Sequence, residues 1–280
     1  MDKKNLIKRV VLIISLTIII SISGLIVYDR ATINNEYYIS EMNLYIPIFV
    51  YHDIVKEESE IHFDYMQTTS TTFEEQLKGL KNAGYHFITY EDLVQYKEGN
   101  KKLYKKSCIL TFDDGYKGVY ENAYPIAQKY EIPFTMFVIT ENMNTTECIT
   151  WEQAKEMKSS GRVKIASHSI DHPEFTSLST EEAVQNVNES YKIIDENLGK
   201  DEIKVFTYPY GLHTEEQLQA LKEEGYIQNL TDNKINKSKN LNLYGLHRDY
   251  PLNDSIYKIL LKIMYRSIRY NWNKAIWLIN

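Results

Sequence analysis

From Ile46 onward, short apolar runs of strand length alternate with segments whose apolar residues recur at helical spacing, and few folds accommodate that alternation. Strand-like runs fall at 46–50, 86–89, 108–112, 134–139, 163–167 and 204–208. Between the first two, Phe73, Gln76, Leu77 and Leu80 share a helical face after Thr71 and Thr72, whose hydroxyls suit a helix start. Further helices are expected near 118–130, 151–159, 180–198 and 214–224, the second of them ended by Gly161. Strands joined through helices pair in parallel, so an α/β fold is expected, with helices outside a parallel sheet that is closed or nearly closed into a barrel. In open and closed versions alike, reactive side chains gather at the carboxyl ends of the strands.

Two strand ends carry chemistry. The run Cys108-Ile109-Leu110-Thr111-Phe112 leads straight into Asp113-Asp114-Gly115, so two adjacent carboxylates can enter one cleft. One can hold a cation while the other handles protons. The run Val163-Lys164-Ile165-Ala166-Ser167 leads into His168-Ser169-Ile170-Asp171-His172-Pro173. A spacing of four would align the imidazoles on one helical face, while Pro173 and the preceding strand favour a tight turn, and either brings both to one ion. Two histidines with one carboxylate suit zinc and leave a position for water; iron and cobalt accept the same donor types. A third strand end, Phe206-Thr207-Tyr208-Pro209-Tyr210-Gly211, reads on its own as a turn.

With these motifs the chain resembles the NodB-homology polysaccharide deacetylases over residues 45–250, and most closely the subgroup acting on poly-N-acetylglucosamine exopolysaccharide. The resemblance implies a distorted (β/α) barrel with fewer than eight strands. It implies a metal-dependent hydrolase, with zinc as the expected metal, that releases acetate from N-acetylglucosamine units. Asp113 carries over as the catalytic base, Asp114, His168 and His172 as metal ligands, and Tyr210 as the residue whose backbone amide faces the oxyanion. Many relatives carry an Arg three residues before this Tyr to hold the catalytic Asp; Thr207 stands there, so another group must orient Asp113.

Three histidines compete for the role of general acid: His52, His213 and His247. The early run Tyr51-His52-Asp53, directly after an apolar strand, favours His52, and Leu246-His247 does not match the late Leu-x-His pattern of other relatives. Asp53 could pair with His52 or with a neighbour. A deacetylase of peptidoglycan or chitin-like glycan and a catalytically silent sugar-binding protein stand as alternatives, and the full Asp113, Asp114, His168 and His172 set speaks against the second. The implied partners are an N-acetylated glycan and exopolysaccharide synthase components.

The first 28 residues concern location. Residues 10–27 form an uncharged apolar run of 18 residues behind Lys3, Lys4, Lys8 and Arg9. Its length is at the lower edge for a membrane span, and the basic flank predicts the amino terminus inside and the rest of the chain outside. Poor cleavage-site residues favour a retained anchor over a removed signal peptide. The expected organisation is a basic tail at 1–9, a transmembrane helix at 10–28, a linker at 29–44 and one catalytic domain at 45–280. The tail and span carry net +3, and subtracting this from the whole-chain −6 leaves −9 outside, which argues against nucleic acid as a partner.

Of two cysteines, Cys108 sits in an apolar strand, where a buried hydrophobe is a better reading than a bridge to Cys148. The Thr231 to Asn242 stretch reads as a surface loop. Residues 255–278 mix Ile, Leu, Met, Tyr and Trp with Lys258, Lys262, Arg266, Arg269 and Lys274, a basic amphipathic helix that packs on the barrel or rests on a membrane surface.

Overall fold

In the computed structural model, residues 45–62, 66–230 and 236–277 are described. The first half contains β1 (Ile48–Tyr51), β2 (Asp53–Val55), β3 (Gln67–Thr69), α1 (Ser70–Asn82), β4 (His86–Phe87), α2 (Tyr90–Lys97), β5 (Ser107–Phe112) and α3 (Tyr124–Lys129). There follow β6 (Phe134–Val138), α4 (Trp151–Ser159), β7 (Val163–Ser167), α5 (Thr180–Leu198), β8 (Val205–Thr207), α6 (Glu215–Glu223), β9 (Ile227–Leu230), β10 (Leu246–His247) and α7 (Ile256–Trp277).

The main sheet runs β1-β5-β6-β7-β8-β9-β10, with β4 paired to β5 off that path. Every pairing along it is parallel. Beyond β10 the chain returns to β1: the Asp249 amide donates to the Ile48 carbonyl at 2.8 Å, and the Val50 amide donates to the Asp249 carbonyl at 2.9 Å. The path of seven strands thereby becomes a nearly closed barrel; against the expected count below eight, the path holds seven strands and the sheet, with β4, eight.

Pleating sorts each strand between two apolar layers. Ile48, Ile109, Phe137, Ala166, Val205 and Ile227 fill the barrel with Tyr90 and Leu93 of α2. Their neighbours Phe49, Leu110, Met136, Ile165 and Phe206 face outward and pack under the helices. Because both faces are covered, all six residues of β5 are buried, which is why these strands read as continuous apolar runs.

Helix starts follow side-chain capping. Thr89, Thr150, Ser179 and Thr214 each form a capping box. For α1 the cap is Thr69, whose hydroxyl accepts from the Thr72 amide; Thr71 and Thr72 lie inside the first turn, a correction of two residues. The first strand likewise begins at Ile48 rather than Ile46, and β2, β3, β9 and β10 add four strands to those expected. Cys108 and Cys148 are both buried free thiols. In the expected loop near 231–242, the described part holds a short 3₁₀ turn, Ser238–Asn240. The expected basic tail, span and linker lie outside the described residues, among which no helix is long and apolar enough to cross a membrane.

Candidate active site

Burial gives way to polarity at the carboxyl end of the barrel. Asp113 continues β5, its amide donating to the Tyr51 carbonyl at 2.9 Å, and is buried. Asp114 then takes φ 69° and Gly115 φ 83°. Two successive left-handed residues turn the chain so that neighbouring carboxylates share one cavity. At Gly115 a side chain would be strained by this φ, and its Cβ would stand 3.4 Å from Val138. The loop is strapped from outside: the Ile149 amide donates to the Gly115 carbonyl at 3.0 Å, and the Cys148 thiol reaches the Asp114 carbonyl at 3.8 Å.

His168 and His172 sit on a turn, not a helix. His172 has φ 58° and Ser169 φ 75°. Ser169 organises this turn, its amide donating to Ser167 Oγ at 3.1 Å and its hydroxyl accepting from the His172 amide at 2.9 Å. From α5, Asn186 Oδ1 accepts from the Ile170 amide at 3.0 Å, and Ser190 Oγ donates to the Ser169 carbonyl at 3.2 Å. His168 Nδ1 donates to the Thr207 carbonyl at 2.9 Å, which leaves Nε2 with its lone pair toward the cavity.

Asp114, His168 and His172 bring one donor atom each within 4.8 Å of one another. His168 Nε2 lies 3.4 Å and His172 Nε2 3.6 Å from Asp114 Oδ1. Those separations are close to the edge of a tetrahedron with zinc-length bonds, about 3.3 Å. Asp114 Oδ1 is buried and has no hydrogen-bond partner among the described residues. A buried carboxylate oxygen left in this state is costly, and a cation would satisfy it. The residues present therefore fit a divalent metal. Although burial alone would raise the Asp114 carboxyl, His168 pulls it below the usual range. His168 is raised despite its own burial, through Asp114 and Asp113.

Asp113 is held by a residue the sequence reading passed over. Arg248 donates from Nη1 and Nη2 to the two Asp113 oxygens, both at 2.7 Å, while its guanidinium lies over the Phe137 ring at 5.7 Å. Burial is the largest influence and raises the Asp113 carboxyl, but the charge and hydrogen bonds of Arg248 together with the charges of His168 and His52 outweigh it and bring the pKa to about 2. The guanidinium missing at Thr207 thus arrives from the end of β10, two strands along the sheet from β8. Its one sequence signal was an arginine two positions after the apolar Leu246, in a stretch weighed only for His247.

The three candidate acids separate. His52 follows β1, stacks on the Tyr250 ring at 6.0 Å, and feels the charges of Asp113, Asp114, Arg248 and His168. Burial is the largest influence and lowers its pKa. His213 Nδ1 bonds the Gly211 carbonyl of its own turn at 3.0 Å, and its ring packs on Tyr208. The His247 main chain is pinned on both sides by Asn236, and alternation turns its side chain away from the face where Arg248 meets Asp113. Asp53 pairs with a neighbour, Oδ2 accepting from Gln67 Nε2 at 3.1 Å. Tyr210 has φ 56°, is 63% exposed, and sets its ring edge-on to His172 at 4.5 Å between centroids.

The comparisons agree with this geometry. The profile of the polysaccharide deacetylase family matches residues 100–228. YxkH of Bacillus subtilis, a protein assigned to the polysaccharide deacetylases, is 32% identical over 203 residues, spanning 72% of this chain and 70% of its own. A poly-beta-1,6-N-acetyl-D-glucosamine N-deacetylase of Staphylococcus aureus is 30% identical over 207 residues, spanning 69% and 70%. Among solved structures, the Streptococcus pyogenes deacetylase PplD in complex with acetate superposes with TM-score 0.72 at 28% identity, over 79% of this chain and 99% of that one.

Proposed function

Because the chain belongs to the polysaccharide deacetylase family, and so is a hydrolase of that class, we propose that its polymer is poly-β-1,6-N-acetylglucosamine. The observation that carries the reading is the convergence of Asp114, His168 and His172 beside an Asp113 fixed by Arg248. The polymer is supported by the staphylococcal relative named for that activity, and by His52 at the start of the domain taking the acid's place near the carboxylates.

A divalent cation held by Asp114, His168 and His172, zinc in this reading, supplies a Lewis acid for the acetyl carbonyl and lowers the pKa of water in the site. Asp113 takes the proton of the attacking water. Arg248 keeps Asp113 ionised and aimed, and the same pairing makes it a weak base. Proton uptake therefore accompanies bond formation to the acetyl carbon rather than preceding it. The Tyr210 amide, set by its left-handed backbone, donates to the oxyanion. His52 in its protonated form then gives a proton to the departing nitrogen as the C–N bond breaks. Acetate and a glucosamine unit leave. An anchor at 10–28 with the domain outside the cell would bring this site to a surface polymer.

The test is acetate release by the full chain from purified poly-β-1,6-N-acetylglucosamine after chelation and zinc readdition, with peptidoglycan in parallel. Zinc-restored release from the first substrate is expected. Release from peptidoglycan alone would overturn the assignment of the polymer, and the Asp113→Asn protein, expected to release none, ties the signal to this site.

A further inference from the structure

The carboxyl-terminal helix has two apolar faces, and the fold uses only one. On α7, Ile259 and Ile263 are buried against the barrel, and Ile256 meets Gly79 of α1 so closely that a Cβ there would stand 2.3 Å from Ile256 Cγ1. On the adjoining face Tyr257, Leu261, Met264 and Tyr265 are 78%, 58%, 50% and 61% exposed. Their spacing of i, i+4, i+7 and i+8 makes one continuous stripe. Of the large hydrophobic side chains exposed among the described residues, only Tyr210 and Leu212 lie elsewhere.

One edge of the stripe is cationic, its basic residues running back toward the buried face. Lys258 and Lys262 both reach Asp254 yet keep side chains 63% and 49% exposed, and Arg266 pairs with Asp249. The helix sequence contains no acidic residue and continues with Arg269 and Lys274, in a chain of net charge −6. Buried face, exposed apolar stripe and basic flank are the build of a helix lying in a lipid interface. An interface with a second protein would instead be depleted of lysine around its apolar centre. The position within the chain agrees: Arg266 Nη1 donates to the hydroxyl of Tyr45, the first described residue, at 3.2 Å. Seventeen residues separate Val27, the end of the apolar run, from Tyr45. Fully extended, they span at most about 60 Å.

We infer that the stripe Tyr257, Leu261, Met264 and Tyr265 docks the domain on an anionic lipid surface. The helix then holds the catalytic domain on the bilayer in a fixed attitude, which a tether alone does not impose. Its apolar side chains enter the headgroup boundary while Lys258 and Lys262 meet lipid phosphates.

The test uses the full-length chain in vesicles of phosphatidylcholine and phosphatidylglycerol, with an environment-sensitive fluorophore on Leu261→Cys and, as reference, on Lys192→Cys. Both native thiols are buried, so labelling is selective. The label at 261 should be quenched by nitroxide-bearing lipid and shielded from aqueous iodide, with the opposite pattern at 192. Adding Met264→Glu and Tyr265→Glu should reverse the pattern at 261 with no change in melting temperature. Three results overturn the inference: iodide access at 261 in vesicles, shielding from both quenchers, which means another protein surface covers the stripe, or lipid quenching that survives the two glutamates.

Discussion

Strand β5 has a cleft at its amino end and the candidate active site at its carboxyl end, and the two ends treat similar residue types in opposite ways. Beside Ser107, where β4 pairs, a cleft of about 310 Å³ is lined by Lys81, His86, Asp92, Lys101, Tyr104 and Glu131 among others. Its charged groups stay wet and are locally engaged. Lys101 pairs with Asp92, Lys81 donates to the Tyr130 carbonyl, and the His86 ring stacks on Tyr104. Beyond Phe112 the space is polar but buried. Three donors converge, a carboxylate and a guanidinium meet with both groups almost inaccessible to water, and four of the seven non-glycine residues with positive φ among the described residues lie there: Asp114, Ser169, His172 and Tyr210. A histidine, carboxylates and lysines are therefore insufficient to make a site. Burial, convergence and backbone strain distinguish the end that does chemistry.

The sharpest way to break this contrast is to remove one residue from each end. Asp114→Asn should lower deacetylation by about 4 kcal/mol of barrier, roughly a thousandfold, because the Lewis acid goes with its ligand. His86→Ala should leave kcat and KM unchanged, and equal losses in steady-state kinetics would erase the distinction. Next comes the ion pair. Arg248→Met leaves Asp113 buried and unpaired and should destabilise the fold by about 3 kcal/mol in urea melts, while Arg248→Lys restores part of the loss. Lys101→Ala, which removes an exposed pair, should cost less than about 1 kcal/mol.

His52→Asn sharpens the assignment of roles within the rim. It should slow amide hydrolysis by about a hundredfold and spare an aryl acetate, whose leaving group needs no proton. Equal loss on both substrates would take the acid role from His52. The pH dependence of stability follows from Asp113. Its pKa is lowered to about 2 when folded, against about 3.9 unfolded, so its contribution is complete above about pH 4 and is lost as pH falls toward 2. In Arg248→Met the sign inverts, because burial alone raises the carboxyl, and melts across this range should show the variant losing less than the parent. A gain is expected at Tyr210, where Tyr210→Gly relieves a left-handed backbone and should raise stability by about 1 kcal/mol in urea melts.

The parts of the site legible in the sequence were local ones. Asp113, Asp114, His168 and His172 follow strands of six and five residues in which all but Lys164 are buried, so motif and strand end could be read together. Arg248 was not legible because β10 spans only two residues, and its partner Asp113 lies 135 positions earlier. Long-range pairing leaves no periodic trace at such a strand. The supports Asn186 and Ser190 were hidden for a related reason: they are ordinary polar positions of a helix until the histidine turn packs against them. Most of the main barrel strands were legible because coverage on both sides makes them largely apolar, whereas β9 carries Gln228 and Asn229 in its middle and was missed, and the cap of α1 was misplaced among consecutive threonines and a serine that are chemically alike.

The central claim is that metal chemistry belongs to the carboxyl rim and not to the cleft at the other end of β5. Calorimetric titration of the metal-free full chain with zinc, alongside Asp114→Asn and His86→Ala, tests it most directly. The account predicts one tight zinc per chain, lost in Asp114→Asn and unchanged in His86→Ala. Tight binding that survives Asp114→Asn, or that disappears with His86, would contradict it.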